Sequence, residues 1–553
     1  MTRAGAKPAR ADVLVIGSGM GGAPVAKVLA EAGLRVVCLE QGGWVGAADY
    51  PHASRDWEIQ RMLGRWSTCP NVRRLPEDYP VTGESIRPLM YNAVGGSTIH
   101  YTGCWPRFRP SDFRKGTEHG ESPDWPLTYE DLAPYYEIND RETGIAGVPG
   151  DPAYPPRAPR QTPPIPPGPL SRAACRGFER LGWHWWPFDT AVITRDYGGR
   201  TACNHCGNCQ SGCPRKSIGS TDVTYWPKAI ASGAELRPGC RVREIAVDAR
   251  GRATGAVYVD RASGLWYEQE ADVVVVACNG IGTPRLLLNS ACPRFPDGLA
   301  NASGQVGRNL MHHALALVEL WLDEPLDSHK GIICAPSYSA EFAETDARRG
   351  FLNGLTLVIN TTNGPGYQAA GGHSRHRAPW GAGHHRWFRE HFDHVISVLV
   401  QGEDLPRPDN RVTLDRELTD GDGIPAAHVE YRLDPNDRRL LDFGVARALE
   451  LGEAVGAFDT AVQRFAAATR DYQPPAWHLL GTCRMGDHAG SSVTNRWHQA
   501  WDVPNLYICD GSSLVTGGAV NPTSTIGALA VRCAHHLRDD FATLRRATRT
   551  TAD

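Results

Sequence analysis

The chain has little net charge: 58 Lys and Arg stand against 61 Asp and Glu, a formal −3 over 553 residues. A nucleic-acid binder would need a basic field, and none exists here. No apolar stretch approaches the roughly 20 residues of a membrane-spanning helix. The N-terminal segment lacks the basic start, apolar core and small-residue cleavage site of an export signal, and no twin arginine precedes its first apolar run. A cytoplasmic location is therefore expected. The cysteine count is 15, an odd number in a long chain without such a signal, which argues against a disulfide framework. No internal repeat of roughly 20–50 residues is present, which excludes solenoids and propellers. What remains is an ordinary globular composition, 41% hydrophobic and 22% charged, too apolar for disorder. The length predicts more than one domain.

The first unit reads strand, turn, helix, strand. DVLVI at 12–16 suits a buried parallel strand, and RVVCL at 35–39 suits a second. Between them Gly17, Gly19 and Gly22 fit G-x-G-x-x-G. Gly17 permits a tight turn, Gly19 lets backbone approach a pyrophosphate, and Gly22 lets the helix sit close to the strand. The helix N-terminus then offers N–H groups and a positive dipole end to phosphates. Glu40 follows Gly22 by 18 residues, where a carboxylate can accept from a ribose hydroxyl. The alternative is a glycine-rich turn without a ligand. The motif does not separate FAD from NAD; no second such motif follows a strand, as a flavoprotein reductase using NADPH would need, and this favours a single tightly held flavin.

Residues 150–170 are proline-dense and read as an extended surface connection. DVVVVA at 272–277 is another buried strand, leading into the turn and helix of CNGIGTPRLLLNS. VISVLV at 395–400 suits a strand of a different sheet, and PDNRVTLD and HVEYRL alternate as half-buried strands do. The C-terminal part returns to strand, turn and helix. The predicted fold class is α/β: a Rossmann-like FAD-binding domain built from discontinuous segments, plus an inserted α+β substrate-binding domain with an antiparallel sheet. The expected division is 10–150, 226–320 and 476–545 for the first and 321–475 for the second. Residues 151–225 are expected to hold the connection and a cysteine loop.

WHLLGTCRMG at 477–486 and NLYICDGSSLVTGGAVNPTSTIGAL at 505–529 make the pattern specific. With the N-terminal glycines they resemble the glucose–methanol–choline (GMC) oxidoreductases, which carry H-x-x-G-T-x-x-M-G and D-G-S … N-P-x-x-T-I segments. The resemblance implies FAD-dependent alcohol oxidation with His478 as the base and Asn521 as its partner. Imidazole can take a hydroxyl proton near neutral pH, and the amide can donate to the oxygen as charge develops. Taken alone, His478 would read as a core histidine bonded to backbone; the motif around it is what favours the base. Asp510, Gly511, Pro522 and Thr523, with Asn521, are expected beside the cofactor. VGGSTIHYTGCWPRF at 94–108 resembles pyranose oxidases and gluconate and glucose dehydrogenase flavoprotein subunits. It implies that Gly95, Gly96 and Ser97 lie against the flavin, and that His100 is bonded covalently to it or packs beside it.

CNHCGNCQSGCP at 203–214 has the C-x2-C-x2-C-x3-C-P spacing of bacterial ferredoxins. Cys203, Cys206, Cys209 and Cys213 are therefore candidate ligands of an iron–sulfur cluster, [3Fe-4S] or [4Fe-4S]. A zinc knot or free thiols are the alternatives; zinc usually takes a second C-x2-C pair, which is missing. A group of histidines (His373, His376, His384, His385, His391 and His394) reads as a solvated lid over the substrate mouth, with metal binding the alternative, although no helical H-x3-H pair with an acid is present. The expected function is oxidation of an alcohol group of a sugar, glycoside or polyol, with electrons passed through the cluster to an external protein or quinone acceptor. The rivals are an oxygen-using oxidase without a cluster and a non-catalytic electron-carrier subunit. No nucleic-acid partner and no membrane span are expected, and the oligomeric state is open.

Overall fold

The computed structural model describes residues 8–50, 58, 78–83, 85–207, 209–332, 334–362, 364–369, 378–465 and 473–549. Strand β1 (Ala11–Ile16) is buried along its whole length, as an apolar run without alternation requires in a parallel sheet. Helix α1 (Gly22–Glu31) follows and returns the chain to β2 (Val36–Leu39), which pairs parallel with β1 through Val13 opposite Val36. The sheet extends from β2 to Glu235–Arg237, and from β1 to the second half of the long strand Leu265–Val276. Leu506–Ile508 then adds parallel to Val274–Val276. The first half of Leu265–Val276 leaves the parallel layer and pairs antiparallel with Ala253–Asp260, itself paired with Cys240–Val247.

Both faces of the parallel layer are covered. Val13, Val15, Val28, Trp226 and Leu537 pack on one side, and Leu14, Ile16, Val274, Leu286 and Leu506 on the other. Each fully buried aliphatic side chain of this kind contributes about 1.5–3 kcal/mol. Gly22 is what allows α1 so close: a Cβ there would run into the Gly17 carbonyl oxygen and Val15 Cγ1.

A second, five-stranded sheet is antiparallel throughout. Its order is Cys334–Ser339, Leu355–Asn360, Val395–Gly402, Ala314–Trp321 and Asp459–Arg464. Helices Pro169–Leu181 and Pro435–Val455 share one hydrophobic core with it, through Phe178, Val318, Val400, Leu440 and Leu451. The first of these helices emerges from the segment read as connection. Pro169 stands at its first turn, where a missing N–H costs nothing. The strands Arg411–Thr419 and Pro425–Glu430 form a small separate sheet with Val81–Thr82. That sheet is tied to helix Asn279–Asn289 by Arg285, which donates to Pro425 O at 2.6 Å and pairs with Asp420 at 2.9 Å. Among the described residues no helix is long and apolar enough to cross a membrane.

Candidate functional site

The tight turn after β1 is held from several sides. Gly17 sits at φ +101°, and a Cβ there would strike the Ala277 carbonyl. Ser18 donates its N–H and its hydroxyl to Glu40 Oε2 at 3.0 and 2.7 Å, while Gly42 N–H reaches Oε1 at 2.9 Å. Ser18 Oγ also accepts from Gly95 N–H at 3.1 Å, and its carbonyl accepts from Trp226 Nε1 at 2.8 Å. Glu40 thus braces the loop as well as facing the cavity. A carboxylate has about four lone-pair sites, so capacity remains for a ribose hydroxyl. Burial pushes the Glu40 pKa up, against the hydrogen bonds that lower it. Gly96, at φ +54°, packs against Gly19, whose own missing Cβ faces open space with no protein atom within 4 Å.

Asp510 plays a similar part at the end of Leu506–Ile508. Its carboxylate accepts from Asn279 N at 3.0 Å, Thr283 Oγ1 at 2.5 Å and Ser512 N at 2.8 Å. It joins the start of helix Asn279–Asn289 to the turn at Gly511, and burial raises its pKa. Gly280 and Gly511 both leave room for the Leu479 carbonyl, where a Cβ would intrude. The segment carrying His478 is thereby threaded between two backbones. Ser97 Oγ accepts from Tyr91 N–H at 3.3 Å, and the His100 ring meets Tyr91 edge-on at 4.1 Å.

These pieces line one continuous cavity of about 1090 Å³. Gly17, Gly19 and Glu40 stand along it with His100, Asp510 and His478. Pro522 and Thr523 also line it, and Thr523 opens the helix Thr523–Arg549, whose positive dipole end faces the cavity. His478 and Asn521 are brought together: Asn521 Nδ2 donates to His478 Nε2 at 3.2 Å. His478 is buried; desolvation lowers its pKa well below the ordinary value, with His313 and His312 adding to the effect. The ring is therefore neutral where a free imidazole would be half protonated. If this ring is the base, the rate of flavin reduction by substrate should hold its plateau as pH falls from 8 past 6.5. Loss of half the rate near 6.5 in rapid-mixing experiments would contradict this.

Three residues of the site carry no motif signal: His313, Glu403 and Asp404. His313 Nδ1 lies 2.9 Å from His478 Nδ1, and its Nε2 lies 2.6 Å from Gly518 O. Two adjacent histidines just before a strand, and an acidic pair ending the apolar run VISVLVQG, were the only visible hints.

Family profiles described as GMC oxidoreductase match residues 36–315 and 406–530. The chain belongs to the GMC oxidoreductase family. It is 50% identical to a 2-methyl-1,2-propanediol dehydrogenase of Mycolicibacterium austroafricanum, over 96% of each chain. It is 30% identical to a 6'''-hydroxyparomomycin C oxidase of Streptomyces lividus, over 97% of this chain and 93% of the other. A formate oxidase structure from Aspergillus oryzae RIB40 superposes with a TM-score of 0.67 at 15% identity, covering 98% of this chain and all of that one, which is a likeness of fold. As a GMC oxidoreductase the protein is an FAD-dependent enzyme acting on alcohol groups. The open space at Gly19, the helix start at Gly22 and a cavity larger than most small-molecule pockets fit a dinucleotide with room for substrate.

The cysteine loop departs from expectation. Among the described residues no group of three or more His, Cys, Asp or Glu side chains is arranged to hold a metal ion. Cys206 is exposed, whereas Cys209 turns inward beside Val192, Ile218 and Ile332, and Cys203 and Cys213 pack at the edge of that apolar patch. All four are free thiols in this geometry, and an iron–sulfur ligand set is not shown among the described residues. The reading against disulfides also needs amendment, because Cys104, on the cavity wall, is disulfide-bonded. Of the clustered histidines, His391 lines the cavity and stacks on Trp387 at 4.6 Å, and His394 donates to Leu322 O at 3.0 Å. His373 and His376 lie outside the described residues.

Proposed function

We propose that the protein is a dehydrogenase of a small polyhydroxylated alcohol, with a primary hydroxyl beside a second oxygen as the reacting group. The observation that carries the reading is the His478–Asn521 pair on the same cavity as the dinucleotide turn. His478 Nε2 accepts the amide N–H, so its single lone pair is bare of a proton, and a substrate hydroxyl that takes the amide's place can give its proton there. Asn521 is then placed to donate to the oxygen as negative charge grows there. FAD, when bound, supplies the two-electron sink that receives the hydride from carbon. The chain's burial of His478 keeps it unprotonated and ready to accept. The 50%-identical relative, named for a 1,2-diol, supports this substrate class over a long glycoside. In such a diol a tertiary carbinol has no hydrogen to transfer, which leaves the primary carbon.

The far wall of the cavity suits hydroxyl groups. Asn360, Ser397 and Glu319 stand directly opposite one another on three adjacent strands, so they share one face, and all three line the cavity. Leu317 and Leu399, also lining it, are the apolar neighbours on the same face. Anaerobic mixing with a panel of 1,2-diols, sugars and simple alcohols tests the reading. Diols should bleach the flavin at lower concentration than monoalcohols of equal size. Ser397→Ala should weaken diol binding about 3–10-fold, the worth of one neutral hydrogen bond, with the limiting rate within about twofold. Equal reduction by monoalcohols, or a fall in limiting rate without a change in binding, would contradict it.

A further inference from the structure

Backbone register sets His313 against His478. Met311 and Leu480 form an antiparallel bridge, bonded in both directions at 3.1 and 3.0 Å. Two residues along each strand, positions 313 and 478 face each other, and their rings meet edge to face at 4.8 Å. A contact of 2.9 Å between the two Nδ1 atoms is a hydrogen bond only if one bears a proton and the other a lone pair. The far side of His313 decides which. Gly518 O, 2.6 Å from His313 Nε2, can only accept, so Nε2 holds the proton. In a neutral ring Nδ1 is then bare, and burial keeps His313 neutral by lowering its pKa. It follows that His478 carries its proton on Nδ1 and leaves Nε2 bare, at the atom beside Asn521.

Resting on the reading of His478 as the base, we propose that His313 is a positioning residue that locks His478 in this tautomer, and that Glu403 and Asp404 hold His313 in register. Asp404 accepts the backbone N–H groups of both His312 and His313, at 2.9 and 3.0 Å, and the Tyr431 hydroxyl at 2.8 Å. His313 sits at φ +77°, a conformation a non-glycine residue keeps only when its surroundings enforce it. Glu403 Oε1 accepts the N–H of Gly518 at 3.0 Å, the residue whose carbonyl receives His313. Its other oxygen lies 3.3 Å from the buried ammonium of Lys115. Both acids directly follow Val395–Gly402, so the strand that supplies Ser397 to the substrate wall also aligns the base. When a substrate proton arrives on His478 Nε2, no bond at Nδ1 has to break. The Nδ1–H continues to donate to His313 and shares the new charge with it, a part played by an acceptor in other base-orienting arrays.

The test uses the FAD-loaded enzyme and the rate and substrate affinity of anaerobic flavin reduction. His313→Leu should lower the limiting rate by about 10²-fold, with substrate affinity within about threefold. His313→Asn should stay within about tenfold of the parent, because its Oδ1 can accept the Nδ1–H. Asp404→Asn, which faces two N–H groups with one oxygen, should lose about tenfold. In 15N-histidine spectra of the oxidised parent, the signals removed by His478→Ala should be those of a protonated Nδ1 and a bare Nε2. The proposal falls if His313→Leu retains a third of the rate, if His313→Asn is as slow as His313→Leu, or if the spectra show the proton on Nε2. Should His313→Leu fail to hold FAD, the Asn variants and the spectra decide. Undiminished flavin reduction in His478→Ala would instead overturn the reading of the base itself.

Discussion

Replacement of His478 by Ala is expected to slow flavin reduction by about 10²–10⁴-fold, the usual worth of a positioned general base. The argument is one of geometry and charge. His478 Nε2 sits on the cavity that also reaches the dinucleotide turn, bonded at 3.2 Å to the amide of Asn521. Alanine leaves that amide in place and removes the acceptor, so the substrate must lose its proton to water. Substrate affinity should change far less, because the bond to Nε2 strengthens mainly as the proton moves. Rapid anaerobic mixing separates the two quantities. A rate within tenfold of the parent would mean that the proton leaves by another route, and it would favour an electron carrier over an alcohol dehydrogenase.

The second large effect is expected at the glycine turn, where two substitutions should part company. A Cβ on Gly19 meets no protein atom within 4 Å. Gly19→Ala should therefore fold normally and intrude only on the cofactor. Overpacking at the pyrophosphate would cost about 1–3 kcal/mol, roughly 5–150-fold in FAD affinity. A Cβ on Gly22 strikes the Gly17 carbonyl and Val15 instead, so Gly22→Ala should lower the melting temperature of the apoprotein itself. FAD titration and thermal unfolding of the two apoproteins measure this. Equal melting temperatures for both apoproteins would contradict the packing at Gly22, and undiminished FAD affinity in Gly19→Ala would place the cofactor elsewhere.

Local chemistry explains what could be read in advance. The turn at Gly17, Gly19 and Gly22 is legible because only glycine fits its close approaches, and sequence records that directly. His478 and Asn521 are legible because each sits in a dense local pattern. The cysteine loop is less legible: four thiols at short spacing can wrap a cluster or line an apolar patch, and spacing is identical in both cases. Burial of Cys209 among Val192, Ile218 and Ile332 is a property of chain segments far from it in sequence. The helix Pro169–Leu181 was hidden by the prolines before it, although Pro169 itself opens the helix.

The amino-acid order alone determined the parallel strand–turn–helix unit and the cofactor class, and it singled out His478 as the candidate base, since each depends on neighbours within a few residues. Which nitrogen of that base is bare was decided only in three dimensions. It depends on His313, 165 residues away, on the Gly518 carbonyl, and on two acids at the end of a strand in the other sheet. A proton's position follows from the whole hydrogen-bonded path, and that path exists only once both sheets have closed around the cavity.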